Sequence, residues 1–329
     1  MQNIQKIIFR RIMPFFIIFL ASLCTAVAQP FPTKPVKIIV PFGPGGAADA
    51  LPRMVGQKLT EFWGQPVIVE NKAGASGNIG MADAVAAKPD GLTLVSAPVG
   101  NLAINPHLFP KLSFDVFKDL TPITLVASVQ NVIVVHPSVP ANTLQQFISF
   151  AKANPGKINF ASGGNGTQAH MGGELLKSMA GIEMEHIAYK GVGDAVKDLV
   201  AGQTSMMVAQ LPSVLQFIQA GRLRALAIAG PKRVSALPNL PTASEAAKLP
   251  GYEAVSWYAL MGPAGMSKDV VSKIQADVAK AVNTPEVREN LRSLGAEAIG
   301  STTVDLIATM RADYERYGTI VRRIKLTLD

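Results

Sequence analysis

From residue 36 onward, short runs of β-branched and apolar residues alternate with longer stretches in which apolar positions recur every three or four residues, the pattern of an α/β chain. The runs at 36–40, 67–70, 92–97, 132–136, 158–161, 206–209 and 223–229 predict strands, arranged in mainly parallel sheets flanked by helices. Between them, Leu51, Val55, Leu59 and Phe62 predict one helix, Met171, Leu175 and Met179 a second, and Val270, Ile274 and Val278 a third. At the C-terminal end Leu306, Met310, Tyr317, Val321 and Ile324 form one stripe, which predicts a docked terminal helix.

One unit occurs twice. A strand at 37–40 runs into Pro41-Phe42-Gly43-Pro44-Gly45-Gly46-Ala47-Ala48-Asp49 and then a helix; a strand at 157–161 runs into Ser162-Gly163-Gly164-Asn165-Gly166-Thr167-Gln168-Ala169-His170 and then a helix. Each unit is expected to belong to its own lobe. With no long linker in the chain, the crossings between lobes are expected to be strands, at 122–129 and 254–261. A helix start carries N–H groups without intrahelical partners and about half a positive charge, so it favours an anion, and glycine lets a ligand approach the backbone. Asp49 and Thr167 are the expected N-caps, which puts Pro52 at the third helical position, where its missing N–H costs no bond.

Composition narrows the function classes. With 48% hydrophobic and 16% charged residues the chain is not disordered and can bury a core, and 329 residues suit two domains. The formal charge of +8 includes Lys6, Arg10 and Arg11 in an acid-free leader; without them 28 basic and 23 acidic residues leave +5. That leader continues through an apolar run at 12–24 to Ala26-Val27-Ala28, a small-x-small cleavage site, so it reads as a secretory signal with a mature chain of about 301 residues beginning near Gln29. The run is shorter than the roughly 20 residues that span a bilayer. Cys24 lies inside the leader, preceded by Leu23 rather than the small residue a lipid-anchored signal needs, and the mature chain then has no thiol for disulfides, metal or nucleophilic catalysis. Scattered Lys and Arg with 6% aromatics give no nucleic-acid footprint.

Neither glycine loop carries a nucleotide-binding fingerprint, and both lack Lys and Arg, so a small carboxylate fits them better than a polyphosphate. Signals for catalysis are sparse. Gly74-Ala75-Ser76-Gly77 has the wrong spacing for a nucleophile elbow, and Ser149-Phe150-Ala151-Lys152 matches S-x-x-K without its companion motifs. His107 and His136 read as surface or packing residues, whereas His170, in the first turn of the second glycine-loop helix, is placed either to face a cleft or to cap and pack. Met206 and Met207 read as core, Trp257 and Tyr258 on the return crossing as core packing or as stacking on a ligand, and Tyr189-Lys190-Gly191 as a solvated loop near a cleft edge.

Taken in order, these segments resemble the tripartite tricarboxylate transporter receptors, also called Bug-type extracytoplasmic solute receptors. The resemblance runs from Pro41-Phe42-Gly43-Pro44-Gly45-Gly46 with Asp49 and Arg53, through Gly64-Gln65-Pro66 and Gly74-Ala75-Ser76-Gly77-Asn78, to Ala161-Ser162, Gly166-Thr167, His170, Tyr189-Lys190-Gly191 and Leu237-Pro238-Asn239-Leu240-Pro241. Pro52, where Ala is common, and Asp194, where Pro often stands, depart from the pattern. An Asp194 in the cleft would repel a second carboxylate; on the surface it would do nothing.

The resemblance implies a two-lobed periplasmic binding protein (type II-like) with its ligand cleft between the lobes. Residues 1–28 would be the signal, 29–128 and 253–329 the discontinuous first lobe, and 129–252 the second. It implies a small organic acid as ligand, held by Phe42, Gly43, Gly45, Gly46, Ala47, Asp49, Ser76 and Asn78 from the first lobe and Ser162, Gly163, Gly166, Thr167 and His170 from the second. It also implies a monomer without cofactor that delivers its ligand to membrane carrier subunits. A sensing receptor without transport, and a hydrolase using Ser149, are the rival readings.

Overall fold

The computed structural model describes residues 31–293, 295–326 and 328; the leader, Cys24 and the expected cleavage site lie outside them. Strand β1 (Val36–Val40) is followed by helix α1 (Ala47–Trp63), β2 (Val67–Asn71), a 3-10 turn (Ala75–Gly77), α2 (Asn78–Val85), β3 (Thr93–Pro98), a π turn (Gly100–Ile104), the short α3 (Asn105–Leu108) and β4 (Leu120–Val129). Next come β5 (Asn131–Val135), α4 (Leu144–Ala153), β6 (Asn159–Ser162), α5 (Gln168–Ala180), β7 (Glu185–Ala188), α6 (Val192–Val200), β8 (Met206–Gln210), α7 (Leu211–Gln219), β9 (Arg224–Ile228) and α8 (Ala243–Ala247). The chain closes with β10 (Ser256–Pro263), α9 (Lys268–Val282), α10 (Pro285–Ser293), β11 (Ala296–Ala298) and α11 (Thr303–Ile324). No described helix is long and apolar enough to cross a membrane.

Two sheets result, in the orders β11-β4-β10-β3-β1-β2 and β7-β6-β8-β5-β9, both within the compact unit Lys34–Asp329. The sheets are mixed, not mainly parallel. β1 pairs in parallel with β2 and β3, and β6 with β7 and β8, because helical crossovers return the chain in the same direction. The strands that carry the chain between sheets break this pattern: β10 runs antiparallel to β3 and β4, and β5 antiparallel to β8 and β9. The passage from β4 in the first sheet to β5 in the second takes the single residue Gln130.

Helix α1 starts at Ala47 with Gly46 as N-cap, which corrects the expected cap at Asp49, the third helical residue. Pro52 therefore lies in the helix interior, where Ala48 loses its i+4 donor, a cost accepted because the ring is buried against the sheet. The helix stops at Gly64, which takes the left-handed conformation and donates its N–H to the Thr60 carbonyl. The C-terminal helix α11 buries Leu306, Met310, Tyr317 and Val321 beside Val95, Trp257 and Met261 of the first sheet. That same core takes in Met171 of α5, a helix of the second sheet.

Under the second glycine loop the core includes a stack of rings. His170 of α5 lies on His186 of β7 at a centroid distance of 3.9 Å and an interplanar angle of 12°, and Phe160 of β6 lies 4.8 Å from His186. Burial pushes the His170 imidazole down to about 3, with the His186 and Lys177 charges adding to it, and burial and Lys177 push His186 down to about 4. Gly173 lets α5 approach this stack, for a β-carbon there would lie 2.2 Å from Phe160 Cε2.

Gly173→Ala is expected to cost about 1–3 kcal/mol by overpacking, read from the urea midpoint; a midpoint equal to wild type would show that the ring yields freely. Because both histidines are held neutral, the unfolded chain binds protons that the folded chain refuses at pH values between roughly 6.5 and 4. Stability should be complete above that interval and fall as the pH drops through it, each imidazole contributing a slope of up to about 1.4 kcal/mol per pH unit. His186→Gln, which keeps a polar group for its neighbour, should make urea-measured stability less steep in pH; an unchanged slope would show that His186 titrates as in the unfolded chain.

Candidate functional site

The two glycine loops meet at one cavity between the sheets. The first leaves β1 and enters α1, whose N-cap Gly46 has extended backbone (φ −122°, ψ 175°) and no side chain to satisfy the first amides. Its shape is braced from behind. Asn71 Nδ2 donates to the Phe42 carbonyl and to Asp49 Oδ1, both at 2.9 Å, while Arg53 donates to Asp49 Oδ1 and to Asn71 Oδ1. Burial alone would raise the Asp49 carboxyl, but the hydrogen bonds from Arg53 and Asn71, with the Arg53 charge, hold it below its ordinary value.

The second loop leaves β6 at Ser162 and enters α5 behind Thr167, which is its N-cap as expected: Thr167 Oγ1 accepts from the His170 N–H and donates to the Gly164 carbonyl at 2.7 Å. Ser162 Oγ accepts from the Gly164 N–H at 3.1 Å and lies 2.7 Å from His186 Nε2. His170 Nδ1 accepts from the Gly166 N–H at 3.1 Å. His170 thus supports the loop from beneath and, at 2% exposure, does not face the cleft.

Between the loops lies a narrow cavity of about 50 Å³, as swept by the centre of a water-sized sphere, enough for a few waters or a small acid. Phe42, Gly43, Gly46 and Ala48 form one wall, and Gly163, Thr167, Gln168 and Ala169 face them. Pro98, Val99 and Gly100 after β3, with Val192, Met207, Gln210, Ser256 and Tyr258, complete it. None of these sixteen residues carries a charged side chain. The first-turn amides of Ala48, Gln168 and Ala169, all in the wall, meet no backbone or side-chain acceptor among the described residues. Two helix N-termini with first-turn amides lacking a protein acceptor therefore border one cavity, an arrangement suited to an anion.

The other expected site residues stand around these walls. Gly45, Ala47 and Asp49 line an adjoining cavity of about 260 Å³ that shares Gly46 with the first, and Ser162 and Gly166 lie inside the second loop. Ser76 and Asn78 are behind Phe42. There the Ser76 carbonyl and Asn78 Oδ1 accept from the Nδ2 groups of Asn101 and Asn105, which hold Ala75 and Ser76 at φ 45° and 56°. Phe42 closes against this turn, since a β-carbon on Gly77 would lie 3.0 Å from its Cζ. Asp194 is exposed in the first turn of α6 and absent from the wall. Ser149 sits on an exposed face of α4 with its hydroxyl donated to the Gln145 carbonyl.

The sequence reading missed Gln210; Tyr258, read as core packing or ligand stacking, is buried and also lines the cavity. Ala47 N–H donates to Gln210 Oε1 at 3.2 Å, and Gln210 Nε2 donates to the Tyr258 hydroxyl in a short bond. Burial raises the Tyr258 phenol. The available signal for Gln210 was a polar residue closing an apolar strand just before Leu211-Pro212.

Comparison with known proteins places the chain among related receptors. The family model described as "Tripartite tricarboxylate transporter family receptor" matches residues 51–326. Protein BugT of Bordetella pertussis is 34% identical over 296 residues, covering 90% of each chain. Among solved structures, Rhodopseudomonas palustris Rpa4515 with adipate superposes with a TM-score of 0.87 at 30% identity, covering 90% of this chain and 99% of that one. MatC (Rpa3494) from the same organism with bound malate has a TM-score of 0.84 at 30% identity, covering 88% and 100%. The chain therefore belongs to the Bug-type receptors of the tripartite tricarboxylate transporter family.

Proposed function

We propose that this protein is an exported, non-catalytic receptor that captures a small organic carboxylate between two lobes and hands it to membrane carrier subunits. The observation that carries this reading is the pair of helix N-termini at one cavity, where Ala48, Gln168 and Ala169 line the wall and their amides have no protein acceptor among the described residues. A carboxylate offers these donors an acceptor of the right charge and size. The adipate and malate in the two related structures are of this chemical class. Lobes at 29–128 with 253–329 and at 129–252 accord with the sheet membership of the strands, β4 and β10 lying in the first sheet and β5 through β9 in the second. Export through cleavage after Ala28 and delivery to a carrier follow from the leader and from the family.

Catalysis is the less supported reading. Ser162 and His186 have the spacing of a nucleophile and base, yet the Ser162 hydroxyl is fully buried and turned into its own loop.

A thermal-shift screen of the mature protein against mono-, di- and tricarboxylates should raise Tm for at least one acid, because a ligand that binds only the folded form must stabilise it. Neutral solutes that shift Tm where every carboxylate fails would overturn the reading. Thr167→Val removes the cap that aims the α5 amides and should weaken binding of the best acid about tenfold, the value of one hydrogen bond, while Thr167→Ser stays near wild type. Equal affinity of the Val variant by calorimetry would take Thr167 out of the site.

A further inference from the structure

The N–H of Ala47, the first residue of α1 and flanked by Gly46 and Ala48 in the cavity wall, already has an acceptor. Its acceptor is the side-chain oxygen of Gln210, which comes from the other sheet at the end of β8. The amide end of the same side chain donates to Tyr258 on β10, a strand of the first sheet. Gln210 thus spans the cavity and ties the second sheet to both α1 and β10. Its carboxamide oxygen carries a partial negative charge and occupies the position at the helix start that favours an anion.

We propose, resting on the receptor reading above, that Gln210 is a ligand-positioning residue that works by exchange. Without ligand its oxygen satisfies Ala47 and holds the lobes together. When a carboxylate enters, one carboxylate oxygen replaces Gln210 Oε1 on the Ala47 N–H. The displaced carboxamide keeps its bond to Tyr258 and turns its second Nε2 hydrogen to the bound acid, since a primary amide has two donors. The exchange makes the site selective for acids. A neutral ligand group offers α1 no better acceptor than the one it would displace, whereas an ionised oxygen forms the stronger bond.

Gln210→Glu and Gln210→Met test this. Glu places a tethered carboxylate where the ligand's would sit, so the ligand-free variant should melt about 2 °C above wild type, while its affinity for malate or adipate, whichever binds wild type, should fall at least about 100-fold through the blocked amide and like charge. Met fills similar space without hydrogen bonds and should melt below wild type, with affinity within about tenfold of it because both the competitor and the donor are lost. Opposite movement of stability and affinity in Gln210→Glu is the signature that a purely structural role would not produce. A Glu variant that melts no higher than wild type, or that binds either acid as wild type does, overturns the exchange. Should wild type bind no acid of the screen, the receptor reading fails, and the ligand-free melting order of Glu, Gln and Met still decides whether residue 210 holds α1.

Discussion

The first-turn amides of α1 and α5 have no helical carbonyl to bond, and both helices begin at one cavity whose wall contains no cation. Each buried N–H left without an acceptor costs about 1–3 kcal/mol, and two helix starts of like polarity repel. The arrangement therefore has to be imposed by the surrounding structure. On the first side Asn71 fixes the Phe42 carbonyl and is itself fixed by Asp49 and Arg53. On the second side the hydroxyls of Ser162 and Thr167 and the imidazole of His170 fold the loop residues 163–166 onto themselves. Every one of these brackets acts on backbone groups of a loop, so the amides keep their direction while the cavity wall stays neutral.

The contact between the two halves is made at close range by glycine. A β-carbon on Gly100 would lie 2.8 Å from the Gly166 carbonyl oxygen, and one on Gly166, at φ +69°, would lie 2.0 Å from Asn105 Oδ1. Asn105 thus links both loops, since its amide also holds the Ser76 carbonyl of the turn behind Phe42. Left-handed conformations at Ala75 and Ser76 cost on the order of 1–2 kcal/mol each. That strain is offset locally by the two asparagine side chains and leads to a definite result: the aromatic ring of Phe42 is set as one wall of the cavity.

The two glycine loops could be read from the sequence because the signal is local. A strand, a glycine run and an amphipathic helix are each visible within about ten residues, and Thr167 was recognisable as a cap by its position alone. Asp49 was misplaced because an Asp before a helix is a good cap in general, yet here Gly46 starts the helix three residues earlier and Asp49 is committed to Arg53 and Asn71. The antiparallel partners of β10 and β5 were not legible, since pairing direction depends on how the chain crosses between sheets and not on any run of residues. Gln210, Asn101 and Asn105 escaped for the same reason: each acts on a segment between 25 and 163 residues away in the chain.

A cavity that relies on backbone amides differs in kind from one built on arginine. A buried guanidinium would carry a desolvation cost of several kcal/mol that has to be met whenever the acid leaves, and the uncompensated charge would disfavour the empty closed form. Amides at a helix start carry only about half a charge, spread over several donors, and water satisfies them when the halves part. Binding by amides alone is consequently weaker per contact but reversible at low cost, which would suit the proposed capture and release of a ligand. In the proposed receptor, such amides would recognise a carboxylate and little else about the molecule. Discrimination among acids then falls to the rest of the wall, where Val99, Val192, Met207, Tyr258 and Gln210 set shape and neutral hydrogen bonding.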